Sequence, residues 1–196
     1  MASQGPEFPH DWRAEILPRP PLIAPARQFT YPRQVAGEED ALARGALLVD
    51  VRPAEGTPFL ATCALGFSDA SMPTGIFACP NPRELCAVAG GYAYIIDSTA
   101  PERSTHINLR PVTEVLVLAK PGLLVFAGFH AMVAWGREGP AWRTARLSWE
   151  GIRVTGVRAD ANGDDCLMGF GWNMPADKEV EFAVNLRTGA HIGGGF

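Results

Sequence analysis

Three groups of residues in this chain have side chains suited to chemistry. The first is the string Asp160-Ala161-Asn162-Gly163-Asp164-Asp165, which offers oxygen ligands at alternate positions, as a calcium loop does. The rest of that pattern is missing. With Asp160 as the first position, the sixth calls for Gly and the twelfth for a bidentate Glu, and this chain has Asp165 and Gly171 there. A polar turn on Asn162 and Gly163 is therefore expected, and no metal is assigned.

The second group is Tyr92, Asp97 and His130, to which Glu114 can be added. A phenol, a carboxylate and an imidazole gathered in one cleft would make the acid-base set of a small-molecule enzyme. The third group is Trp142, Arg146 and Arg153. An exposed indole beside two guanidinium groups would stack on planar ligands and pair with acidic ones, the chemistry of a binding face.

Other chemistries find less support. No serine lies in GxSxG, and His10, His106, His130 and His191 are far apart in sequence. Gly189, Gly193, Gly194 and Gly195 are followed by neither a Lys-Ser/Thr pair nor a helix, so a phosphate cradle is not formed and a fraying tail is expected. Cys79 and Cys86 are too widely spaced for a zinc pair, and Cys63 and Cys166 are isolated. Four buried thiols are the expectation, and no cofactor is assigned.

These residues must be positioned mostly by strands. Seven of the 17 prolines lie at or before Pro32, and LPRPPLIAP favours extended backbone, so residues 1–33 are assigned as a Pro-rich arm and 34–196 as one β-rich domain. The apolar residues of the arm, Trp12 and Tyr31 among them, predict that it lies against the domain or a partner subunit. One short helix is expected at Glu38–Arg44, ending at Gly45.

From Ala46 the apolar period is two. Leu47, Val49 and Val51 alternate with Asp50 and Arg52, and Phe59, Ala61, Cys63, Leu65 and Phe67 form a second row across the PAEGTP turn. Further strands are expected at 85–89, 92–97, 105–109, 114–118, 123–127, 130–135, 143–149, 152–157, 166–170 and 179–186. Such close spacing leaves no room for crossover helices, so the sheets should be antiparallel. A hairpin at Glu150-Gly151 would set Trp149 against Ile152 in the core and leave Trp142 exposed beside Arg146. A second is expected at Arg187-Thr188-Gly189.

LCAVAGGYAYI (85–95) aligns with LLVFAGFHAMV (123–133) at an offset of 38, with identity at four positions. The offset makes Tyr92 equivalent to His130 and Asp97 to Trp135, which is why their neighbourhoods form a candidate pocket. Together with the NLRTG turn, these copies resemble β-propeller blades. The GH…WD pair of WD40 repeats is absent, and Asn185 stands where quinoprotein repeats carry Asp. Since 196 residues supply at most about four blades, the resemblance implies an all-β fold of blade-like antiparallel sheets, packed as a sandwich or an incomplete propeller.

Composition limits the function classes. A 47% hydrophobic, 19% charged chain can bury a core without staples. A net charge of -4 with scattered arginines argues against nucleic acid, and no segment approaches the ~20 apolar residues that span a bilayer. MASQGPEFPHDWR lacks a basic start followed by an apolar run, so the cytoplasm is the expected address. The leading expectation is a noncatalytic binding or assembly module with a protein partner or self-association. A small-molecule enzyme at Tyr92, Asp97 and His130 and a structural subunit of a homo-oligomer are the alternatives.

Overall fold

A computed structural model describes residues 8–23, 25–32 and 41–195. The chain is all-β, and its described residues form sixteen strands in four four-stranded sheets. It divides into two compact units at residues 112 and 113, not at the end of the arm.

In the first unit, strands β1 (Trp12–Leu17), β2 (Gln28–Tyr31), β3 (Ala46–Pro53) and β4 (Phe59–Ala64) form a sheet in the order β1-β3-β4-β2. The β3-β4 hairpin is the one read from the two alternating rows. Two stretches of the Pro-rich segment, Trp12–Leu17 and Gln28–Tyr31, join this sheet. β1 adds antiparallel to β3 and β2 adds parallel to β4, so the Pro-rich segment supplies both edges of the sheet. The prolines lie mainly between the two strands, where a missing N–H costs no ladder bond.

The described part of the expected helix, Ala41–Arg44, is a 3-10 turn, with Gly45 N donating to Leu42 O. The first three residues of that helix, 38–40, lie outside the described residues.

The second sheet of this unit, in chain order, is β5 (Gly75–Ala78), β6 (Glu84–Ala89), β7 (Tyr92–Asp97) and β8 (Ser104–His106). Gly90 and Gly91 both have positive φ, 55° and 81°, so a two-residue turn joins β6 to β7 with Ala89 opposite Tyr92. Three aromatic side chains tie the two sheets together through backbone carbonyls. Trp12 Nε1 donates to Glu84 O (3.1 Å), Tyr31 OH to Pro101 O (2.7 Å) and Tyr94 OH to Ala64 O (2.9 Å). Each such bond is worth about 1 kcal/mol net, and more is lost if one partner is left buried without the other. Cys63, Cys79, Cys86 and, in the second unit, Cys166 are free and buried.

The second unit carries β9 (Val112–Leu118), β10 (Leu123–Gly128), β11 (Met132–Gly136) and β12 (Gly139–Arg143) in sequential order, with the boundary between the units at the start of β9. It also carries β13 (Ile152–Ala159), β14 (Asp165–Asn173), β15 (Lys178–Asn185) and β16 (His191–Gly193), again in sequence. Leu123, Val125, Met132, Trp142, Leu147, Leu167, Phe182, Val184 and Leu186 share one core.

Two expectations fail in this unit. Residues 144–149 form no strand, and β13 pairs with β14 rather than folding back on a 143–149 strand. The connector is held instead by isolated bonds: Thr144 N to Met132 O, Met132 N to Thr144 Oγ1, Leu147 N to His130 O and Trp149 N to Trp172 O. The glycine-rich end does not fray. Gly194 N donates to Glu181 O and Gly195 N to Leu147 O, and a Cβ at Gly195 would collide with Trp172 O.

β6 and β10 carry the first strands of the two aligned copies, and the turns that follow them differ in length. β6 and β10 correspond at an offset of 38. Ala127 faces Met132, whereas Ala89 faces Tyr92, so the β10-β11 turn holds two more residues and the second strands correspond at 40. Tyr92 is therefore matched by Met132 and not by His130. The four small sheets are blade-like, each largely antiparallel.

Candidate functional site

The acid-base group does not come together within the first unit. Tyr92 and Asp97 occupy the two ends of β7, separated by about 16 Å at ~3.3 Å per residue, and their odd spacing directs them to opposite faces. Tyr92 is buried, with its ring centroid 5.0 Å from that of His106 and 5.9 Å from that of Phe67. Asp97 caps the turn after β7, where its Oδ1 accepts from Thr99 N, Thr99 Oγ1 and Ala100 N. Partial burial raises its pKa, but these bonds and Arg83 outweigh that effect and hold the carboxyl below its ordinary range. That is a structural role. His130 and Glu114 belong to the second unit, and His130 lies in the β10-β11 turn with Nδ1 3.1 Å from Ser148 O.

The Trp-Arg group is redistributed. Trp142, expected to be exposed, is 9% exposed on β12, and its indole N–H donates to Leu186 O at 2.7 Å. Trp149, expected in the core, is only half-buried, and Arg146 Cζ lies 3.8 Å from its ring centroid. The chain leaves the strand after Arg143, so alternation from Trp142 does not carry through to Trp149.

Arg146 is exposed, and among the described residues it makes no ion pair. Stacking over the indole restrains the guanidinium while its in-plane N–H donors stay available.

Arg153 finds a different setting. On β13 it pairs with Phe170 of β14, with Cζ 4.4 Å from the ring centroid, and its Nη2 donates to Glu179 Oε2 at 2.7 Å. The register places Met168, Phe170 and Trp172 of β14 on one face with Glu179 and Glu181 of β15, opposite the core-facing Leu167, Gly169 and Gly171. Met168, Phe170 and Trp172 are each partly exposed. Next to this ridge is a shallow cleft of about 250 Å³, lined by Glu150, Ile152, Arg153, Phe170, Trp172 and Glu179.

Phe170 and Trp172 were missed as site residues. The signal was present, because Cys166, Met168, Phe170 and Trp172 alternate with core residues, but a strand expected to stop at 170 leaves Trp172 without a face.

The string from Asp160 to Asp165 forms a self-capped turn. Asp160 Oδ1 accepts from Asn162 N and Asp164 N, while Asp164 and Asp165 pair with Arg187 and Lys120. Among the described residues, no three His, Cys, Asp or Glu side chains converge as a metal site. Nor is any helix there long and apolar enough to cross a membrane.

No protein-family model matches this sequence, and no curated protein matches it.

Proposed function

We propose that this chain is a noncatalytic binding module that engages a protein partner through the β14 ridge of its second unit. The observation that carries this reading is the pair of guanidinium-aromatic stacks, Arg146 on Trp149 and Arg153 on Phe170, beside the partly exposed Trp172. Arginine and tryptophan are the residue types that dominate binding energy at protein interfaces. Here both are restrained before any partner arrives, which lowers the ordering cost of association. Glu179 already satisfies Arg153, whereas Arg146 keeps its donors for an incoming carboxylate.

Site-specific photocrosslinking tests this reading. Benzoyl-phenylalanine in place of Phe170 should trap one discrete adduct in cells. The adduct should disappear when Arg146→Glu and Arg153→Glu are added to a chain that remains folded. An adduct of twice the chain mass would identify the partner as a second copy. If the two charge reversals leave the adduct intact, or no discrete adduct forms, the ridge is not the binding surface.

A further inference from the structure

A second cleft in the second unit, of about 500 Å³, opens where the β9-β10, β13-β14 and β15-β16 turns meet beside β12. Its floor is hydrocarbon. Leu123, Trp142 and Leu186 line it, and Trp142 has already committed its N–H to Leu186 O, so the indole offers the cleft only its apolar ring.

The rim is charged, and its acidic groups are paired. Asp164 Oδ2 accepts from Asn185 Nδ2 at 2.9 Å and from Arg187 Nη2 at 3.0 Å, which leaves Arg187 neutralised. Asp165 is paired differently. Its Oδ2 is met at 2.9 Å by Lys120 Nζ, on a side chain that is 85% exposed. An ammonium on a long, solvated stem is a weak, entropically costly partner. Asp165, which lines the cleft, is thus already paired with a cation that a better-anchored one can replace.

We propose that this cleft binds a small organic cation with a flat apolar body, an aryl-alkyl ammonium or amidinium. The body lies on Trp142, Leu123 and Leu186, and the cationic head takes the place of Lys120 Nζ at Asp165. Apolar contact gives such a ligand an advantage that Lys120 lacks. The site is separate from the β14 ridge and does not depend on it.

The test is a titration of the full chain with benzylamine, followed in amide and indole N–H correlation spectra, with benzoate as the opposite-charge control. Benzylamine should produce saturable shifts at the Trp142 indole N–H and at the Asp165 and Leu186 amides, and benzoate should not. Lys120→Ala, at an exposed position that does not threaten folding, should tighten benzylamine about two- to fivefold by removing the competing ammonium. Asp165→Asn should weaken it at least about tenfold in a chain whose spectrum is otherwise native. Equal shifts from benzoate, no saturable shift, unchanged or weaker binding in Lys120→Ala, or unchanged affinity in Asp165→Asn would each overturn the proposal.

Discussion

Asn185 donates its side-chain amide to Asp164 Oδ2 at 2.9 Å while its own Oδ1 accepts from Arg187 N, Thr188 N and Thr188 Oγ1. One residue thus closes the β15-β16 turn and fastens it to the β13-β14 turn. Aspartate would perform the first task equally well. Only an amide performs the second, because a carboxylate here would face that of Asp164.

Asn185→Asp should therefore lower the urea midpoint at pH 6, and the loss should shrink as acid protonates the facing carboxylates. Urea denaturation at pH 6 and pH 3 measures both effects.

Asp164 predicts a pH dependence of its own. Hydrogen bonds from Asn185 first, and then Arg187 with its charge, hold its carboxyl below the ordinary range. A folded-state pKa below the unfolded value of about 3.9 gives stability that is present above pH ~4 and lost as pH falls toward the folded pKa. Wild type should lose stability below pH 4 more steeply than Asp164→Asn, as read from paired denaturation curves.

Trp142→Phe should keep a smaller aromatic ring in place and leave Leu186 O without its donor. A buried carbonyl stripped of its partner costs about 1–3 kcal/mol. Calorimetry should show that loss, and Trp142→Ala should cost more because it also opens a cavity.

The cysteines give a direct test of the cores. Burial pushes the Cys63, Cys79 and Cys86 thiols far up, and thiolate is the reactive form. Those three should resist a thiol reagent at pH 8 in the native state and react fully in guanidinium. Fast native labelling of any of them would mean that the first unit opens readily.

Strand-rich architecture was legible in the sequence because a period of two survives wherever a sheet has one apolar face. β3, β4, β7, β10 and β15 fall close to their expected places, and Gly189, in the expected Arg187-Thr188-Gly189 turn, has a φ of 72°. β1 and β2 were hidden because the proline density around them reads as extended coil. Whether an extended segment joins a sheet depends on a partner far away in sequence.

The site was less legible, for a different reason. Each assignment at Trp142, Trp149 and His130 carried strand parity or a constant offset across an irregularity. The chain leaves β12 at Arg143, and the β10-β11 turn holds two additional residues. A slip of one residue exchanges the faces of a strand, so small local irregularities redirected the side chains that mattered most. Arg146 and Arg153 remain on the candidate surface, with Trp149, Phe170 and Trp172 as their aromatic partners and Trp142 removed to the core.

The way β1 and β2 flank the β3-β4 hairpin also fixes an order of events during synthesis. Trp12 waits for Pro53, and Tyr31 waits for Cys63 and then for Pro101. β1 and β2 thus leave the ribosome before the strands that secure them, and until then their apolar residues are exposed to other chains. A proline-dense stretch suits that interval, since it disfavours the intermolecular strand pairing that would otherwise compete with the native partners.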